Sequence, residues 1–264
     1  MPQKIYTTAL AKGQGAIPET LTLLQVWEPG MTAAELAAQA LAKGALAKAT
    51  ARRVNDLVAE VFRPRYLVDD GPVATGLKCL LAQGFPPRRM AQLFFIHSAR
   101  ANVMFHDFVR QVYWPHYAAG VRHLQKQDSL QFIESAHNNG LIPRPWSASM
   151  RDRVAGYLLG VLQDFELLGP IHKGVREFLP FNIYPLTTIY LSHELHFSGQ
   201  SDTSLMHHRD WGLFGLGPRD VVQELERASY GGHFIVQYSG EILRIAWKYK
   251  TMEECLYGIA AGEL

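Results

Sequence analysis

Cysteine is scarce in this chain of 264 residues, and the scarcity excludes two ways of stabilising a small fold. Cys79 and Cys255 are the only thiols, too few for a zinc quartet or a disulfide framework. A hydrophobic fraction of 48% with 19% charged residues is typical of a globular protein that builds its core without such help. We interpret the two cysteines as reduced thiols and expect a cytoplasmic protein.

Long hydrophobic runs are also lacking. No uninterrupted apolar stretch is long enough to span a bilayer, and Met1 does not begin a charged-then-apolar signal peptide. The most apolar run, 178–191, contains Pro180, Asn182 and Pro185. We therefore predict a buried loop and helix there, and no membrane partner.

Motifs for catalysis are missing as well. The chain has no Gly-rich phosphate loop, nucleophile elbow or paired-carboxylate signature. We predict no catalytic residues, no cofactor and no enzymatic activity. One alternative is a metal-dependent hydrolase, although His193 and His196 are one residue closer than the metalloprotease spacing requires. His207 and His208 would complete its ligand set, but we expect no metal.

The patterns that are present predict a mainly α protein, a helical bundle with a C-terminal β-hairpin. A polar arm over 1–18 precedes a capping box at 32–35, a helix that follows Thr50 and ends at Pro64, and a break at Pro115. Alternating apolar residues on both sides of Ser239-Gly240 predict the hairpin. We expect an N-terminal helical domain over 1–125 and a C-terminal helical domain over 126–264.

The first candidate helix-turn-helix unit covers 32–62. Cationic and amide side chains cluster at the start of its second helix, where arginine can pair with guanine and asparagine with adenine. The alternative is an ordinary helical hairpin with a solvated face. The predicted DNA-binding residues are Lys48, Thr50, Arg52, Arg53 and Asn55.

The second candidate unit covers 130–168. Ser149 and Asp152 stand in capping-box spacing and predict the start of a long amphipathic helix. A helix N-terminus also offers free N–H groups to phosphate. Surface ion pairs around a packed Trp146 are the alternative. The predicted DNA-binding residues are Arg144, Ser147, Ser149, Arg151 and Arg153.

A third unit, 205–249, is similar to a winged helix, with Arg244 and Lys248 on the outward face of its hairpin. Such a module binds either DNA or protein. Charge favours DNA for the N-terminal half. Residues 1–125 contain 14 Lys and Arg against 8 Asp and Glu, a net charge of +6, and 126–264 contain 12 against 16, a net charge of −4.

The order of these units resembles BrxA, a family of accessory proteins of bacterial BREX phage-defence systems. The resemblance covers most of the chain and rests on 146–151 (WSASMR), 158–168 (LLGVLQDFELL), 192–198 (SHELHFS), 210–216 (DWGLFGL) and 241–247 (EILRIAW). It implies a non-enzymatic, DNA-binding helical protein. Its partners would be a methyltransferase, an ATPase and an alkaline-phosphatase-like protein.

We therefore expect double-stranded DNA binding within a phage-defence assembly, mostly through phosphate contacts. The alternative is a protein-interaction adaptor that docks other defence subunits and does not bind DNA itself.

Overall fold

The molecule is mainly α, as predicted, and contains two small antiparallel sheets. A computed structural model describes residues 5–47 and 49–261. The α-helices are α1 Ile17–Val26, α2 Ala33–Ala42, α3 Ala51–Asp56, α4 Arg63–Tyr66, α5 Pro72–Ala82, α6 Ala91–Ala101, α7 Val103–Phe108, α8 Trp114–Ala118, α9 Lys126–Asn138, α10 Ala148–Asp164, α11 Pro185–Phe197, α12 Asp202–Met206, α13 Pro218–Ser229 and α14 Met252–Ala260. The strands are β1 His123–Gln125, β2 Val175–Glu177, β3 Phe234–Ser239 and β4 Ile242–Trp247.

The chain forms two compact units, each made of two separate segments. The first unit contains the residues up to Pro72 together with Phe94–Phe181. The second contains Val73–Leu93 and the residues from Asn182 onward. The boundary predicted after residue 125 falls inside the first unit, between β1 and α9, and the two-domain division at that point stays a prediction.

Local signals set the helix starts. Thr32 caps α2 through a capping box, in which its Oγ1 accepts from the Glu35 N–H at 3.2 Å and a Glu35 carboxylate oxygen accepts from the Thr32 N–H at 2.8 Å. Thr50 caps α3, and Pro218 opens α13. These three starts confirm the predictions. They were predictable because each depends on side chains within one turn of the helix.

The α10 start lies two residues before the predicted one. Ser147 is the cap, and its Oγ accepts from the Met150 N–H at 3.2 Å, whereas Ser149 lies within the first turn. The links α2–α3 and α9–α10 run over 43–50 and 139–147. Both are longer than the three- or four-residue turn of a helix-turn-helix. The helix-turn-helix assignment stays a prediction.

Two prolines were predicted to end helices, and both predictions were wrong. The helix that contains α3 continues through a π-helical stretch, Leu57–Phe62, into α4, so Pro64 lies within it. Pro115 similarly follows the π-helical stretch Val109–Tyr113. The widened turns let the N–H of Arg63 bond to the Val58 carbonyl, five residues back. A π-bulge accommodates the proline without ending the helix.

The described part of the predicted N-terminal arm that precedes α1 forms a packed strap, which we define as residues 5–16; residues 1–4 of the arm lie outside the described residues. Tyr6 and Leu10 are buried, and a 3₁₀ turn forms at Ala9–Lys12. The Tyr6 ring stacks on Phe132 of α9, and its hydroxyl donates to the buried Asp107 carboxylate at 2.5 Å. Burial and this carboxylate raise the Tyr6 pKa above its ordinary value. The strap therefore belongs to the core of the first unit.

The second unit is centred on α11, whose residues from Leu186 to His193 are all buried. The buried helix predicted within 178–191 is thus confirmed from Leu186 onward, whereas the predicted burial of the preceding loop was wrong, because its residues are half-buried or exposed. The hairpin is also confirmed: Phe234, Leu243 and Ile245 are buried, in alternation with exposed residues. Ser239 pairs with Ile242, so the turn is Gly240-Glu241, one residue later than predicted.

Candidate nucleic-acid interface

The start of α3 presents part of the first predicted cluster. Thr50 is used as the cap, with its Oγ1 accepting from the Arg53 N–H at 3.2 Å. Arg52 and Asn55 are exposed. Lys48 lies outside the described residues. Arg52 forms no ion pair with any described residue, so its charge is available to a ligand.

Arg53 is held by the strap. Its guanidinium donates to the carbonyl oxygen of Lys12, and the side chain is half-buried. Lys12 in turn forms an ion pair with Asp56, Nζ to Oδ2 3.2 Å. One of the predicted DNA-binding arginines, Arg53, is therefore hydrogen-bonded to the strap.

The start of α10 presents the second predicted cluster. Arg144 and Arg153 are exposed and Arg151 is half-buried. None of the three forms an ion pair within the described part of the chain. Arg153 lies 3.9 Å from the Met150 sulfur. The backbone thus brings three free cationic side chains to one helix start.

The acidic residue inside this cluster is neutralised. Lys126 of α9 pairs with Asp152, Nζ to Oδ1 2.6 Å. A lysine that binds Asp152 reduces its repulsion of phosphate beside Arg151 and Arg153. Ser147 is committed to the cap, and its Oγ lies 3.1 Å from the Ser149 Oγ. The two serines shape the helix start, and their hydroxyls retain spare hydrogen-bonding capacity.

The two clusters lie near opposite ends of α10. Arg53 lines a cleft of about 590 Å³ together with Asp164, the last residue of that helix. The second cluster surrounds Asp152, twelve residues earlier, which corresponds to about 18 Å along the helix axis. Both clusters belong to the first unit.

A buried clamp on the strap was missed by sequence reasoning. Arg65 is only 8% exposed and donates to three successive carbonyl oxygens, those of Gly13 at 2.7 Å, Gln14 at 2.6 Å and Gly15 at 2.9 Å. The Asp164 carboxylate accepts from the Gly15 N–H at 2.8 Å. Burial lowers the pKa of Arg65 and raises that of Asp164.

Little in the amino-acid sequence predicts this clamp. Arg65 follows Pro64 with no local motif around it, and its partners lie about fifty residues earlier in the chain. The nearest signal is Gly160 on α10, where a Cβ would collide with the Gln14 side chain. A glycine at a close approach is informative only once the approaching segment is known.

Two of the four histidines of the alternative metal site, His193 and His196, pack against aromatic rings. His193 is buried, and its Nδ1 bonds to the Ile189 carbonyl at 2.8 Å. His196 stacks on Trp247 with ring centroids 4.2 Å apart. Burial lowers the pKa of His193 to about 4. Among the described residues, no group of three His, Cys, Asp or Glu side chains is placed to hold a metal.

The winged-helix-like unit carries mixed charge. Arg244 and Lys248 are exposed on the hairpin, as predicted. The neighbouring α13 exposes Glu226 and pairs Arg227 with Glu224, Nη1 to Oε1 2.7 Å. A helix with this charge pattern is poorly suited to track phosphates.

Together, these features define a mainly α protein whose first unit displays cationic helix starts. Within the described ranges, no helix combines the length and apolarity needed to cross a membrane. The sequence profile of the family described as BrxA matches residues 4–193, and the chain belongs to the BrxA family, which is part of BREX phage-defence systems. A comparison with curated proteins gives no significant match.

Proposed function

We propose that this chain binds double-stranded DNA within a BREX phage-defence assembly and catalyses no reaction itself. One observation carries the proposal: Arg52, Arg144, Arg151 and Arg153 form no ion pair with any described residue, at two helix starts of a single unit. Free arginines at such positions bind phosphate through charge-assisted hydrogen bonds. Family membership supports the setting.

The binding is mostly independent of sequence. These four arginines lie at helix starts, where the positive end of the helix dipole adds to their attraction for phosphate. Asn55 is the one exposed amide of the predicted set, and it offers limited base readout. The partners in this role are duplex DNA and the methyltransferase, ATPase and phosphatase-like protein of the system.

The test is fluorescence anisotropy with a labelled duplex and paired variants of the full chain. Replacing Arg151 and Arg153 by alanine removes two phosphate contacts and should reduce the slope of log K against log salt by about 1.8. Arg53 is a poor test residue because its replacement would also release the strap.

The matched control removes the same charge from the second unit. Arg219 and Arg227 lie on the acidic helix α13 and are exposed. Their replacement by alanine should leave both affinity and slope unchanged. Equal losses in the two double variants would mean that net charge alone, and not the α10 cluster, attracts DNA.

The second candidate function is an adaptor that docks protein. The exposed apolar side chains of the hairpin, Ile235 and Ile242, favour it for the second unit. A chain that binds no duplex at low salt would leave the adaptor role as the better account.

A further inference from the structure

The two edges of the C-terminal hairpin differ. The outward N–H groups of β4 are bonded to α12: that of Ile245 donates to the Asp202 carboxylate at 2.9 Å, and that of Leu243 to Thr203 Oγ1 at 3.4 Å. These side chains close the β4 edge to further strands.

The opposite edge is open. Val236 and Tyr238 of β3 pair with Ile245 and Leu243, so their main-chain groups also point away from the hairpin. Within the described residues, nothing hydrogen-bonds to these groups. An open edge of this kind is a template for an added strand.

On the outer face of the hairpin, exposed aliphatic side chains lie on either side of Arg244, and Lys248 follows β4 on the same side. Ile235 is 66% exposed and Ile242 is 60% exposed, and Ala246 faces the same side. Between them, Gln237 of β3 pairs with Arg244 of β4. Arg244 is exposed and forms no ion pair with any described residue. The guanidinium of Arg244 is therefore available to an acidic residue of a ligand.

We propose that the β3 edge binds an extended segment of a partner protein as a third strand. The segment carries an acidic residue opposite Gln237, within reach of Arg244. Aliphatic residues lie two positions before and after it and pack along the row that contains Ile235. Main-chain hydrogen bonds supply affinity, and the alternating side chains supply specificity. This site is independent of the proposed DNA-binding arginines.

Two other occupants fit the charges less well. The turn of the hairpin carries the exposed Glu241, so phosphates on this face would meet a carboxylate. A second copy pairing through β3 would bring no carboxylate, because Phe234–Ser239 contains none. The charge pattern therefore favours an acidic, aliphatic segment of another protein.

The experiment uses the full chain and a fluorescein-labelled nonapeptide with glutamate at its centre and alternating valine and threonine on both sides. A second peptide has lysine in place of the glutamate. We expect the glutamate peptide to bind the wild type and R244E to weaken that binding about tenfold, because the reversal turns an attraction into a repulsion. R244E should bind the lysine peptide better than the wild type does.

The controls separate charge, edge and fold. R219E changes an exposed arginine of α13 and should leave binding of the glutamate peptide within about twofold of the wild type. N-methylation of the peptide residues whose N–H groups face β3 should abolish binding, because each methyl removes a donor. Circular dichroism of R244E should match that of the wild type.

Several results would overturn the proposal. They are no binding of the glutamate peptide at millimolar concentration, equal binding of both peptides, equal binding by R244E, and no effect of N-methylation. Protection of the hairpin by duplex DNA, or dimerisation that R244E strengthens, would assign the face to another occupant.

Discussion

Replacing Arg65 by methionine removes the guanidinium that holds the strap while it keeps most of the aliphatic volume. The wild-type side chain is 8% exposed and donates to the carbonyl oxygens of Gly13, Gln14 and Gly15. Hydrogen bonds from a charged group contribute about 1.5–3 kcal/mol each. Burial of the charge costs several kcal/mol. We expect a net loss of about 3 kcal/mol in the free energy of unfolding of the first unit.

The assay is chemical denaturation followed by circular dichroism, together with a thermal scan. For a unit of this size, about 3 kcal/mol corresponds to a fall in Tm of about 6–12 °C. Arg63→Met is the matched control, because Arg63 lies on the same helix two positions before Arg65 and is exposed. It should cost less than about 0.5 kcal/mol. Equal effects of the two substitutions would refute the clamp.

The remaining predictions concern other sites. Burial lowers the pKa of His193 to about 4, so the folded state binds fewer protons than the unfolded state. The free energy of unfolding should therefore fall by about 3 kcal/mol as pH drops from 6.5 to 4. Urea titrations should show that H193F weakens this pH dependence. Gly258→Ala should destabilise by about 1–3 kcal/mol because its Cβ meets the Tyr249 ring, whereas Gly156→Ala, with open space, should stabilise by about 0.5–1 kcal/mol in the same titrations. In thermal scans, Ser147→Ala should lower the free energy of unfolding by about 1 kcal/mol and Ser149→Ala by less than about 0.5 kcal/mol. A larger loss for Ser149→Ala would mean that Ser149 caps α10.

Elements set by neighbouring residues were predictable. The caps Thr32 and Thr50, the proline that opens α13 and the hairpin alternation all depend on side chains a few positions apart. Local patterns were therefore enough to predict these helix starts, the hairpin and the mainly α class.

Features that depend on distant contacts were not predictable. The strap is fixed by Arg65, Asp107 and Asp164, which lie far from it in the sequence. The helix through Pro64 continues because a π-helical stretch moves its hydrogen bonds by one residue. For the candidate interface, sequence identified the cationic helix starts, but it did not show that Arg53 bonds to the strap.

DNA binding by the unpaired arginines of the first unit is best tested by the salt dependence of duplex affinity. Four phosphate contacts, from Arg52, Arg144, Arg151 and Arg153, predict a slope of log K against log salt of about −3.6 and an affinity about 150-fold weaker at 200 mM than at 50 mM salt. A slope near zero, or no binding at 50 mM salt, would contradict DNA binding through these four arginines.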